Sequence, residues 1–192
     1  MSRKSIYLGT SDEFFHVYNR GANREPLFFS HRNYLYFLKR IREALPLFAV
    51  SLHTLCLMPN HFHLLLNQGQ PYAVARFMKR LCDGYAKAVN RELGRKGHLF
   101  EERYKMELVR DNEGLVAVSA YIHRNPVAAR LVDSPLEWPY SSCGVLCGMS
   151  SDGIVVPGPV WQAAGGKELY VDLLFNGPIV PTDEIVQPID DR

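Results

Sequence analysis

Two rhythms of apolar residues alternate along the chain. Phe14 to Arg20 is a short β-prone run stopped by Gly21-Ala22-Asn23. From His31 to about Leu45, Tyr34, Phe37, Leu38 and Ile41 fall on one stripe of a 3.6-residue repeat, which predicts a helix capped by Ser30 and ended by Pro46. Leu47 to Leu57 and His61 to Leu66 read as strands joined by the tight turn Met58-Pro59-Asn60. Helical spacing returns between Pro71 and Leu93 at Val74, Phe77, Met78, Leu81, Tyr85 and Val89, and Gly94-Arg95-Lys96-Gly97 breaks it. Tyr104 to Arg110 is a fourth strand. A helix from Glu113 to about Arg124 follows, capped by Asp111 or Asn112 and expected to end or kink where Pro126 disfavours helical geometry at Asn125.

The order β-α-β-β-α-β plus a terminal helix predicts an α+β ferredoxin-like sandwich, with four antiparallel strands and two helices on one face. The third strand then lies near the sheet centre, and the terminal helix can cover the open face. Residues 1–142 form the expected folded domain. From residue 143 to 192 glycine and proline are frequent, predicting a loop-rich acidic tail broken by one short helix from about Val160 to Phe175.

At 192 residues, 47% hydrophobic and 22% charged, the chain has an ordinary globular composition. It has no apolar run near the ~20 residues of a membrane span, and Met1-Ser2-Arg3-Lys4-Ser5 does not open a secretory leader, so a cytoplasmic protein is expected. Cys56, Cys82, Cys143 and Cys147 contain no C-x-x-C pair and are expected to be reduced. The net charge of +2 hides an asymmetry: residues 72–105 hold nine Lys or Arg against four acids, and residues 149–192 hold seven acids against two bases. A basic segment suits a polyanion, and an acidic tail can cover it in the polyanion's absence.

The candidate chemistry starts at His61-Phe62-His63. Two imidazoles two positions apart in a strand leave the same face of the sheet, where they can hold a divalent ion with positions open for a substrate oxygen. Tyr121 and Asn125, four residues apart, share one helix face. His123 lies about 200° round that helix from Tyr121, which favours packing or DNA contact over a role as base. Arg76, Lys79, Arg80, Lys87 and Arg91 are spaced to track phosphates along one helix. Arg20, Arg95, Lys96 and Arg103 join them as candidate DNA contacts, as do Lys105 and Arg124, which are also candidate helpers of the tyrosine.

A His-hydrophobe-His strand followed by a helix with a single tyrosine resembles the HUH single-tyrosine transposases, most closely the REP-associated branch. The likeness extends to Phe15-His16-Val17-Tyr18-Asn19-Arg20-Gly21, to Gly97-His98-Leu99-Phe100-Glu101-Glu102-Arg103-Tyr104-Lys105 and to Trp138-Pro139-Tyr140-Ser141-Ser142, so it covers residues 14 to about 142, the catalytic domain of this reading. It implies that Tyr121 attacks a DNA phosphorus to leave a 5′-phosphotyrosine link. It also implies Mg²⁺ or Mn²⁺ held by His61, His63 and Asn125, the last where relatives often carry glutamine. Single-stranded or hairpin DNA, palindromic repeat hairpins above all, is the implied target, and the protein is a monomer or a homodimer. The alternatives are a non-catalytic ferredoxin-like nucleic-acid binder and another HUH nicking endonuclease. A small metal-dependent hydrolase is disfavoured by the absence of an Asp or Glu near the histidine strand or Tyr121 in the sequence.

Overall fold

The computed structural model describes residues 10–178 and 186–188. Five strands are β1 (Glu13–Arg20), β2 (Val50–Met58), β3 (His61–Gln68), β4 (Lys105–Val109) and β5 (Val186–Pro188), and they form one antiparallel sheet in the order β2-β3-β1-β4-β5. The first four have the split βαβ arrangement, with β5 as a short added edge. The main helices are α1 (His31–Ala44), α2 (Ala73–Glu92) and α3 (Asn112–Ala128).

Alternation along β3 decides what each face of the sheet carries. Phe62 points to the α1/α2 layer, where its ring lies 5.2 Å from Phe37, which in turn meets Tyr85 edge-on at 4.8 Å. These side chains are fully buried. His61 and His63 therefore leave the opposite face, which α3 covers through a 2.8 Å hydrogen bond between Thr54 Oγ1 and Ser119 Oγ. A bulge at His53, between the pairs Leu52/Leu66 and Thr54/Leu65, shifts the alternation of β2 and turns Thr54 to the α3 side.

The β2–β3 turn is anchored from outside. Leu27 and Phe28 N–H both donate to the Pro59 carbonyl, at 2.8 and 3.1 Å, and Gly21 N–H donates to the Asn60 carbonyl at 2.8 Å. Gly21 is required there, because a Cβ would meet the Glu25 carbonyl oxygen. The Ser30 side chain makes no cap bond to α1; Asn33 Oδ1 accepts from Phe29 N–H at 3.0 Å instead. Asp111 is the cap of α3, accepting from Gly114 N–H at 2.7 Å.

Two expectations are corrected here. The helix does not end at Asn125 but runs through Pro126 to Ala128. Its close is a Schellman turn, with Arg130 in the left-handed region (φ 57°) and N–H groups of Arg130 and Leu131 donating to the Val127 and Pro126 carbonyls. The loop-rich tail is also more ordered than expected. It contains α4 (Cys143–Leu146), α5 (Gly158–Ala164) and α6 (Lys167–Asn176), and Gly165-Gly166, both at positive φ, split the single expected helix. Val160, Tyr170 and Leu174 are buried in the common core, so no structural break falls at residue 142. The tail acids Asp183, Glu184, Asp190 and Asp191 lie outside the described residues.

Candidate active site

The two histidines and the tyrosine come together. The Tyr121 ring stands edge-on to His63, with centroids 5.7 Å apart at 87°, and the His61 and His63 rings lie 5.2 Å apart. His63 is buried (5% exposed), while His61 and Tyr121 are half-buried. Asn125 sits one turn beyond Tyr121 and donates from Nδ2 to the Tyr121 carbonyl at 2.8 Å, which turns its Oδ1 away from the helix backbone.

Hydrogen bonds fix which ring nitrogen each histidine presents. Asn60 Nδ2 donates to the Arg24 carbonyl at 3.3 Å, so its Oδ1 accepts from His61 Nδ1 at 2.7 Å, leaving His61 Nε2 with a free lone pair. His63 Nδ1 bonds to His16 Nε2 at 2.9 Å, so its free nitrogen is again Nε2. Burial lowers the His61 pKa; burial first, then the neighbouring His16 and His61, lowers that of His63 much further. Both rings are therefore neutral at pH 7, as metal ligation requires. Two neutral imidazoles 5.2 Å apart with free nitrogens suit a divalent ion by donor type. Among the described residues no three His, Cys, Asp or Glu form a metal cluster.

Two groups in the site went unseen in the sequence reading. His16 of β1 and Glu107 of β4 pair directly across the sheet on the His63 face, joined from His16 Nδ1 to Glu107 Oε2 at 3.1 Å. Tyr18 donates its hydroxyl to Glu107 Oε1 at 2.8 Å, and burial followed by that carboxylate pushes the phenol pKa up. A carboxylate thus lies one imidazole behind His63, supplied by a neighbouring strand rather than by the histidine strand itself.

The candidate DNA contacts divide into three groups. Arg20, Arg103 and Lys105 line a cavity of about 440 Å³ together with His61, and Arg20 pairs there with Glu101. Arg76, Lys79, Arg80, Lys87 and Arg91 lie on α2, which packs on the Phe62 side, so the basic row does not flank the histidines as expected from the sequence. Lys79 is paired with Asp83 at 2.7 Å and Arg95 with Glu25 at 2.7 Å, whereas Lys96 is exposed. A groove of about 810 Å³ holds Arg76, Lys79 and Arg103, and Arg103 is shared by both cavities.

Arg124 forms the third group alone, and its expected DNA contact is not what the geometry gives. Its guanidinium donates to the carbonyls of Leu173 (2.6 Å), Leu174 (2.8 Å), Gly177 (2.9 Å) and Pro178 (2.9 Å), filling the C-terminal end of α6 with a positive charge. Arg124→Ala is expected to lower stability by roughly 2 kcal/mol in urea unfolding, because four carbonyls lose a charged donor.

His123 is likewise structural. Its Nδ1 bonds to Tyr170 Oη at 2.8 Å and its Nε2 to Ser142 Oγ at 2.9 Å, and Tyr170 also meets Ser119 at 2.9 Å, so a buried polar network seats α3. Burial lowers the His123 pKa to about 3. Since this lies below the unfolded value near 6.5, the unfolded chain binds more protons under acid conditions and stability is lost as pH falls from 6.5 towards 3. Unfolding free energies from urea titrations at pH 7 and pH 5 are expected to differ by roughly 2 kcal/mol from this residue alone, with pH 5 the weaker.

The chain is similar to known proteins in sequence and in fold. Residues 11–125, which include both histidines, Tyr121 and Asn125, match the sequence profile "Transposase IS200 like". A protein of Haemophilus influenzae (strain ATCC 51907 / DSM 11121 / KW20 / Rd) named as a REP-associated tyrosine transposase is 30% identical over 100 residues, which span 46% of this chain and 56% of that relative. A solved REP-associated tyrosine transposase bound to a REP hairpin superposes with a TM-score of 0.62 over 76% of this chain and 92% of its own. At 13% identity that likeness is one of fold. Among the described residues no helix is long and apolar enough to cross a membrane.

Proposed function

Because the chain belongs to the IS200-like transposase family, we propose that it cleaves and rejoins single-stranded or hairpin DNA through a covalent 5′-phosphotyrosine at Tyr121. The observation that carries this reading is the edge-on approach of Tyr121 to His63 from a different element of the fold.

In this reading the Tyr121 oxygen bonds to the scissile phosphorus while the bond from phosphorus to the 3′ oxygen breaks, and the released 3′ oxygen takes up a proton. The phosphotyrosine preserves the energy of the linkage, so a new 3′-hydroxyl can displace Tyr121 without a nucleotide cofactor. His61 and His63, with Asn125 as the third candidate, would hold Mg²⁺ or Mn²⁺, which would neutralise charge on the non-bridging phosphate oxygens. Nitrogen ligation favours Mn²⁺ over Mg²⁺.

The chain's own residues do the remaining work. The β2–β3 turn fixes His61, the network through His123 fixes the helix that carries Tyr121, and Arg20, Arg103 and Lys105 attract the backbone beside His61. Arg103 joins this cavity to the groove bearing Arg76 and Lys79, a route by which a hairpin stem reaches α2. The repeat hairpin bound by the structural relative supports a palindromic hairpin as the substrate.

The test is incubation of the full chain with a 5′-labelled and a 3′-labelled hairpin oligonucleotide and Mn²⁺. A denaturing gel is expected to show label retained on protein only from the segment 3′ to the cut, and EDTA is expected to remove the band. Binding without any covalent band under Mn²⁺ would leave the nucleic-acid-binding alternative in its place.

A further inference from the structure

The buried Glu107 has a role that follows from the direction of its hydrogen bonds. It occupies a strand whose flanking residues, Met106, Leu108 and Val109, are buried and apolar, and it is itself only 8% exposed. An ionised carboxylate in such a position costs stability unless donors satisfy it. Its two oxygens meet Tyr18 Oη and His16 Nδ1.

Tyr18 donates to one Glu107 oxygen, and where the other oxygen also accepts, the donor is His16 Nδ1. In the arrangement where His16 donates only to Glu107, its Nε2 accepts from His63 Nδ1 across the 2.9 Å contact. A neutral imidazole with Nδ1 protonated has its lone pair on Nε2. The direction of the whole chain, from Glu107 through His16 to His63, is set at its buried end.

We propose that Glu107 and His16 are positioning residues for the divalent ion, holding His63 in the tautomer and ring orientation that presents Nε2 as a ligand. This rests on the reading of His61 and His63 as ligands. Carboxylate–imidazole pairs of this type orient metal-bound histidines one step removed; here a second imidazole lengthens the chain by one link. His16 itself is ruled out as a ligand, because both of its nitrogens are engaged. Asn60 does the corresponding work for His61, so the two ligands are oriented from opposite ends of the site.

Two measurements on the full chain test this. In metal-free wild-type protein, long-range ¹H–¹⁵N spectra of the imidazoles are expected to show His16 and His63 as Nδ1–H tautomers, the minor form of a free imidazole. Finding the proton of His63 on Nε2 overturns the proposal without any substitution. Mn²⁺ titration, read from the electron paramagnetic resonance of the free ion, is expected to give Glu107→Gln a Kd weaker by roughly 10- to 100-fold. The exposed carboxylate variant Glu102→Gln is expected to match wild type. Wild type that binds Mn²⁺ through His61 and His63, with Glu107→Gln binding as tightly, overturns the role of Glu107 alone. Wild type that binds no Mn²⁺ overturns the ligand reading as well.

Discussion

Tyr121→Phe is expected to bind a hairpin oligonucleotide as tightly as wild type while covalent adduct formation falls by roughly three orders of magnitude or more. The substitution removes one oxygen and leaves the edge contacts to His63 and His16 in place. The Tyr121 hydroxyl has no hydrogen-bond partner among the described residues, so folding stability is expected to change by less than about 0.5 kcal/mol. A gel of protein-linked label, read beside a binding isotherm and a melting curve, separates loss of the nucleophile from loss of the fold. Tyr18→Phe is the matched comparison, because Tyr18 also faces His63, at 5.6 Å, but its hydroxyl is committed to Glu107. That variant is expected to keep forming adduct.

His63→Ala has the next largest expected effect, and it acts on metal and fold together. It removes one of the two proposed imidazole ligands and leaves His16 Nε2 buried without its partner, at about 1 to 3 kcal/mol. Mn²⁺ affinity is expected to fall at least about 100-fold, and single-turnover cleavage roughly 10²- to 10³-fold at fixed metal, as for removal of one electrostatic contact to the transition state. His53→Ala controls for the loss of a buried imidazole, since His53 bonds to the Val156 carbonyl and lies outside the site. It is expected to lose stability but neither metal nor cleavage.

Local pattern made much of this molecule legible. The alternation of β1 and β3 and the stripes of α1 and α2 each specify an element and a buried face from a few neighbouring residues. The pair His61 and His63 was readable because a spacing of two in a strand has one geometric meaning. Tyr121 and Asn125 were readable as a shared helix face, although nothing local says which surface that face meets.

Features set by register were not legible. His16 and Glu107 are 91 residues apart in sequence and meet only because β4 pairs with β1 in one alignment. A shift of β4 by one residue would send Glu107 to the other face and break the pair. Glu107 alone in an apolar strand was the one available signal. Arg124 looked like a phosphate contact because its charge is visible in sequence, whereas the four carbonyls it fills, at the end of the expected tail helix and in the Gly177-Pro178 stretch beyond, reach it only through tertiary packing. The basic row of α2 was legible as a row, but the side of the sheet that the helix covers depends on Phe62 packing against Phe37, a tertiary fact.

The central claim is that the phenol of α3, rather than that of β1, attacks the phosphate beside His63. The most direct measurement is mass spectrometry of trypsin-digested protein trapped on a hairpin substrate. The account predicts a nucleotide adduct on the peptide spanning residues 111–124, which contains Tyr121 as its sole tyrosine. An adduct on the peptide spanning residues 5–20, at Tyr18, would contradict it.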